Sequence, residues 1–194
     1  RARLDSLEMY PFRQLIKDGA PSVMVAHMNI PALDNTPNIP SSISKKVVTD
    51  IIRTELGFRG LTVTDAMDMS GVKKFFPNGE ADVMAIEAGH DLLEVSANSG
   101  RAIDLVEKAI KSGRLSQADI DARVKKVLAA KLWLGLNQVK PVNTNRLYED
   151  LNTPAAQSLV QRISDAAVTL LKSDRGLKRF DPKKSTSIVS VGID

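Results

Sequence analysis

Three short runs of β-branched and apolar residues constrain this chain more than any other feature. Ser22-Val-Met-Val-Ala26, Leu61-Thr-Val-Thr64 and Asp91-Leu-Leu-Glu94 are each too short for a helix and bounded by turn or loop residues. The first two lack the alternation of a strand wetted on one side, so they read as strands buried on both faces, as in a parallel sheet. Between them lie helical patterns. Ser44 can cap a helix whose apolar positions Val47, Val48, Ile51, Ile52 and Leu56 recur at helical spacing, with Gly57 just beyond its end. Glu80 to Ala88 reads as a second helix, closed by Gly89. Ala102, Ile103, Val106, Ala109 and Ile110 mark a third, stopped by Gly113. Ser116 and Asp119 resemble a capping pair for a fourth, whose apolar face runs through Ile120, Val124, Val127, Leu128 and Leu132 to Trp133.

Strand, helix, strand, helix, strand is a βαβ series, which requires parallel strands joined by right-handed crossovers. Pattern alone leaves a (β/α)8 TIM barrel and a doubly wound sheet both open. A complete TIM barrel takes about 250 residues, and the series here is spent before Gly135. Ahead of the first strand, Leu7, Phe12, Leu15 and Ile16 suggest a helix over residues 7–20, bent or restarted at Pro11 and stopped at Gly19. Residues 27–42, with Pro31, Pro37 and Pro40, must form a long irregular loop, and residues 71–79 a shorter one. We divide the chain into 1–136, a linker over 137–153, and a segment 154–194 in which a helix at about 154–167 and a strand at 186–191 begin a second α/β unit.

Composition narrows the function classes. An apolar share of 43% with 26% charged residues is that of a folded domain. The net charge of +4 is scattered among Asp and Glu along helical segments, and aromatics make up only 4%, so a nucleic-acid surface is not expected. Cysteine is absent, which removes disulfides, a thiolate nucleophile and thiolate metal sites. No run of about 18 apolar residues or basic stub leading into an apolar run marks a membrane span or signal peptide in this stretch. The compartment stays open between exported (periplasmic) and cytoplasmic.

Asp65 stands directly after the second strand, where barrels and open α/β sheets alike place their chemistry. From position alone it reads equally well as a catalytic carboxylate or as the cap of a following helix. Asp68, in the same loop, reads as solvent-facing or as a cap. His27 follows the first strand and could face the same mouth, or could be a structural histidine bonded to loop backbone. His90 precedes the third strand and so belongs to the opposite rim. No HExxH or comparable spacing suggests a metal, and the phosphate-cradling patterns GxGxxG and GxxxxGK[ST] are absent, so neither metal nor cofactor is expected.

At these strand ends the sequence resembles glycoside hydrolase family 3, in particular its β-N-acetylglucosaminidase (β-hexosaminidase) branch. The resemblance lies in Met24-Val-Ala-His-Met28 with Ile30-Pro-Ala-Leu-Asp34, in Leu56-Gly-Phe-Arg-Gly-Leu-Thr-Val-Thr-Asp65, in Ala85-Ile-Glu-Ala-Gly-His-Asp91 and in Lys131-Leu-Trp-Leu-Gly-Leu136. Segments 166–172 and 187–191 resemble the opening of the αβα sandwich domain that follows the barrel in many members. The resemblance implies the last three or so βα units of a TIM barrel. It also implies retaining hydrolysis of β-linked N-acetylglucosamine, peptidoglycan- or chitin-derived chains included, with Asp65 as nucleophile and His27 and Met67 as substrate contacts. In that branch a His-Asp pair beside a Lys-His-Phe-Pro-Gly-His-type segment supplies the acid/base, and no such segment occurs here. Accordingly the isolated chain is expected to lack hydrolase activity and to self-associate through open strand edges. Two alternatives are a β-glucosidase or β-xylosidase specificity on the same fold, and a non-catalytic α/β interaction domain.

Overall fold

A computed structural model describes residues 1–138, 140–141 and 143–169. The chain divides into two compact units, Arg1–Val139 and Lys140–Asp194. In the first, strands β1 (Ser22–Val25), β2 (Leu61–Ala66) and β3 (Leu92–Glu94) form a sheet in that order, every pair parallel. All three are the strands expected from sequence. Helix α1 (Tyr10–Lys17) precedes the sheet, with Pro11 in its first turn, where a missing N–H costs nothing. A helix over Lys46–Glu55 joins β1 to β2, and α2 (Ser70–Lys73) and α3 (Glu80–Ala88) join β2 to β3. Helices α4 (Ser99–Lys111) and α5 (Gln117–Trp133) follow.

The side chains that fill one face of the sheet explain the crossovers. Val47, Val48 and Ile52 from the Lys46–Glu55 helix close on Val25, Phe58 and Ala88. A second cluster gathers Ile43, Met67, Val72, Ala81 and Ala85, and a third joins Val83 to Ala109 and Leu115. Fully burying one such Val, Leu or Ile stabilises by roughly 1.5–3 kcal/mol, so these clusters fix which side of the sheet the helices cover. The opposite face is open: Met24 and Leu92 remain 55% and 36% exposed. Gly60 is required by a close crossing, because a Cβ there would lie 2.4 Å from the Pro21 carbonyl oxygen.

Several expectations need correction. The Lys46–Glu55 helix is wound with π-type hydrogen bonding and begins after Ser44 and Lys45. The Ser44 hydroxyl still accepts from Val47 N–H at 3.2 Å, so the capping contact survives although Ser44 is not the residue adjoining the helix. The loop at 71–79 opens with the short helix α2, nucleated where Val72 drops into the core. Ser116 does cap α5, accepting from Asp119 N–H, but the apolar stripe of that helix is largely uncovered: Val124, Leu128 and Leu132 are exposed. Periodicity identifies an apolar face without saying whether the described residues supply its cover.

In the second unit a helix α6 (Leu147–Leu151) lies inside the stretch read as linker, and α7 spans Pro154–Ala167, capped by Thr153. The strand expected at 186–191 lies outside the described residues.

Candidate active site

The carboxyl ends of the three strands meet at Asp65. Along β2, Thr62 and Thr64 are fully buried against the helices, whereas Leu61, Val63 and Asp65 are half-buried, as the two-residue period of a strand requires. Register then changes at the rim. Val63 pairs with Leu92 and Ala66 with Glu94, so β2 advances three residues while β3 advances two. Such an irregularity re-aims side chains and is common beside active sites. Asp65 lies inside it. Its Oδ1 accepts from Ala66 N–H at 2.8 Å. The position adjoining α2 is occupied by Met69, which makes no side-chain cap, so Asp65 does not cap that helix. Asp68 is exposed, in keeping with a solvent-facing residue.

His27 is drawn to the same place. Its Nε2 lies 2.9 Å from the Ala66 carbonyl oxygen, which can only accept, so that nitrogen carries hydrogen and donates. In the neutral ring Nδ1 is then the acceptor for the Ser42 hydroxyl, 2.5 Å away. On its other side the same peptide link donates Met67 N–H to Glu94 O at 2.9 Å. The Ala66–Met67 link, one residue beyond Asp65, is thus held from the β1 side by His27 and from the β3 side by Glu94. Glu94 N–H in turn donates to Thr64 Oγ1 at 2.9 Å.

Met67 departs from the simple picture of a substrate contact. Its side chain is 3% exposed and packs with Ile43, Val72, Ala81 and Ala85. It reaches a hollow of about 460 Å3 shared with Lys73, Phe76, Asp82 and Arg101, between the residues after β2 and those after β3. Asp82 is buried there with Oδ1 unpartnered, and burial pushes its carboxyl up from the ordinary range against an opposing contact with Ser96.

His90, just ahead of β3, is fully buried. Its Nε2 donates to the Ser42 carbonyl oxygen at 2.8 Å, which ties the start of β3 to the residue that holds His27. Burial lowers its pKa to about 4, opposed by the hydrogen bonds to Ser42 and Thr62 backbone. The long loop is pinned by Asp34, which accepts from Ser44 Oγ at 2.6 Å, Thr36 Oγ1 at 2.7 Å and Lys46 Nζ at 3.0 Å. Burial acts to raise its carboxyl, and these donors override it and hold it well below the usual carboxylate range.

Ser42 and Glu94 carry this geometry and escaped the sequence reading, which holds Asp34 only as the end of the run Ile30–Asp34. A serine inside a Pro-rich loop has no spacing that marks it. Glu94 ends a strand as Asp65 does, which is a usable signal, yet the run Asp91-Leu-Leu-Glu94 reads simply as a strand. Val95, immediately after it, adopts φ 42°, a left-handed conformation costly for a β-branched residue.

The Glycosyl hydrolase family 3 N terminal domain matches residues 1–130. The chain belongs to glycoside hydrolase family 3. Its fold is accordingly TIM-barrel-like α/β. β-Hexosaminidase A of Pseudoalteromonas piscicida is 28% identical over 193 residues, which cover 90% of this chain and 32% of that protein. A β-N-acetylglucosaminidase/β-glucosidase of Cellulomonas fimi is 26% identical over 174 residues, 86% of this chain and 31% of the relative. Among solved structures, a family 3 β-N-acetylglucosaminidase from Paenibacillus sp. str. FPU-7 superposes with a TM-score of 0.79 at 38% identity, over 93% of this chain and 34% of that one. A β-glucoside phosphorylase BglX superposes at 0.75 with 28% identity, over 88% of this chain and 33% of that one. The chain therefore spans about a third of the length of the relatives it matches.

Proposed function

We propose that this chain is the nucleophile-bearing part of a retaining β-N-acetylglucosaminidase, contributing about three of the eight strands of a TIM barrel. The observation that carries the reading is Asp65 itself: a half-buried carboxylate at a register break on the carboxyl rim of the central strand. In this reading the open face of the sheet, with Met24, Val63 and Leu92, is the barrel interior, and the free edges of β1 and β3 take further strands. Residues 1–136 form the barrel part, 137–153 a linker and 154–194 the start of an αβα domain.

An ionised carboxylate suits the chemistry, because the transition state carries oxocarbenium character. An Asp65 oxygen bonds to the anomeric carbon as the bond from that carbon to the leaving oxygen breaks, and an acid outside this chain protonates the departing oxygen. Water then attacks the same carbon, gives its proton to the conjugate base of that acid and frees Asp65, so configuration is retained. His27 holds the Ala66 carbonyl and thereby the backbone on which Asp65 is mounted. Direct contact with the sugar by His27 and Met67 is the finer part of the proposal. The resemblance to a β-N-acetylglucosaminidase at 38% identity favours an N-acetylglucosaminide as substrate.

A second reading is favoured by the likeness to the phosphorylase, in which phosphate rather than water would take the glycosyl group. Turnover of chromogenic β-N-acetylglucosaminide, β-glucoside and β-xyloside by the complete enzyme, with and without phosphate, separates these. Fastest release from the N-acetylglucosaminide without phosphate, abolished by Asp65→Asn, is the expected result. Undiminished turnover in Asp65→Asn would overturn the assignment. The 194-residue chain alone is expected to be inactive and to self-associate through its open edges, which light scattering over a concentration series checks.

A further inference from the structure

At the amino end of the strands, away from Asp65, the first unit holds a hollow of about 430 Å3. Four cationic side chains, Arg53, Arg59, Arg123 and Lys126, line it against two carboxylates, Asp91 and Asp119. The resulting excess is two positive charges, and the better-buried carboxylate is already committed. Asp91 Oδ2 accepts from Arg53 Nη2, from Lys126 Nζ at 2.7 Å and from Thr62 N–H at 3.0 Å. Backbone oxygens take up further donors: Arg53 Nη1 donates to Gly60 O at 2.5 Å, Lys126 Nζ to the same oxygen at 3.1 Å, and Arg123 Nη1 to His90 O.

Donors nevertheless remain in excess. The Nε of Arg123 is buried with no partner among the described residues. Burial lowers the pKa of its guanidinium, and the more distant charges of Asp91 and Asp119 act against that shift. Arg59 is exposed on the wall and Lys126 keeps a third N–H. A partly buried guanidinium with no carboxylate in salt-bridge contact among the described residues is costly, and an oxygen-rich anion is the group that relieves it, since charge-assisted N–H···O bonds are among the strongest available. The space admits a tetrahedral anion together with a small substituent.

We propose that this hollow is a binding site for a phosphate-type oxyanion, held by Arg123, Lys126 and Arg59 on the face opposite the catalytic carboxylate. The amino face of such a barrel governs stability rather than chemistry, so the anion acts as a ligand of the folded state and raises thermal stability by mass action. The shared chemistry is the phosphate group, arriving as inorganic phosphate or as the monoester of a sugar.

The site is tested on the 194-residue chain by titrating inorganic phosphate at constant ionic strength while following the arginine Nε–H resonances and the unfolding temperature. A saturable shift at Arg123 with a rise in Tm is expected, with affinity reduced about tenfold in Lys126→Met and measurably in Arg59→Gln. Arg59→Gln alters an exposed side chain and so preserves the fold if the first variant does not. Asp65→Asn is expected to bind as the parent does. A parallel titration with N-acetylglucosamine 6-phosphate identifies the source: tighter binding than inorganic phosphate assigns a sugar ester, weaker binding the free ion, and either order supports the site. The proposal is overturned by a response that chloride reproduces at equal ionic strength, by unchanged affinity in both variants, or by loss of binding in Asp65→Asn. The last outcome would move phosphate to the catalytic face and leave the glycosidase assignment to its own assay.

Discussion

Replacing Asp91 by Ala should remove the anchor that sets β2 against β3 before the strands reach their carboxyl rim. The side chain of Asp91 is 4% exposed and receives Arg53, whose side chain is 16% exposed, together with Lys126 and the Thr62 amide. Breaking a buried pair by deleting one partner costs about 3–5 kcal/mol, because the other charge is left unmatched. Lys126 is more than a third exposed, so solvent screens most of its share. The Arg53 and Thr62 contacts together then suggest a loss of roughly 3 kcal/mol. In a unit of this size that is on the order of 10 °C in Tm. Burial acts to raise the Asp91 carboxyl, but Lys126, the Thr62 amide and Arg53 hold it below its ordinary value. A depressed folded pKa means that the contribution is complete above the unfolded pKa near 3.8 and fades as pH falls through the folded value. Urea unfolding of parent and variant should therefore diverge most at neutral pH and converge in acid. Asp50→Ala, on an exposed carboxylate, serves as control and should change stability by less than about 0.5 kcal/mol. A loss below about 1 kcal/mol for Asp91→Ala at pH 7 would refute the anchoring role.

Three other perturbations probe different parts of the structure. His90 is held neutral with a pKa of about 4 against 6.5, so the unfolded chain binds the proton more readily and stability should rise from pH 4 to 6.5. The gain is on the order of 3 kcal/mol, and His90→Gln should flatten that part of the pH profile of unfolding. Val95→Gly should stabilise by about 1 kcal/mol by relieving the left-handed backbone at φ 42°, read as a higher urea midpoint. Gly89→Ala should destabilise by at least about 1 kcal/mol in the same assay: φ is 118° and the new Cβ would sit 2.7 Å from Thr49 Oγ1.

The three strands and the principal helices of the first unit were legible because burial leaves a period in the sequence. The continuous run at Leu61–Thr64 and the i, i+3, i+4 pattern from Val47 to Ile52 are consequences of which sides meet the core. Asp65 was legible as a candidate by its place at a strand end. The irregular register between β2 and β3 was not, since it depends on how two segments about thirty residues apart pair, and pattern within either segment is indifferent to it. The same holds for Ser42, which meets His27 and His90 only after the long loop folds back. Met67 shows the limit in another form: the resemblance implies a substrate contact there, while the second apolar cluster takes most of its side chain inward. The exposed stripe of α5 shows that amphipathicity names a face and says nothing of what covers it.

The central claim is that the Asp65 carboxylate becomes bonded to the sugar. Incubating the complete enzyme with an activated 5-fluoro-N-acetylglucosaminyl fluoride, followed by peptic digestion and mass analysis, tests it directly. The account predicts one added glycosyl residue, carried by the peptide containing Asp65 and absent from Asp65→Asn. A label on a different carboxylate, or full turnover with no label, would contradict it.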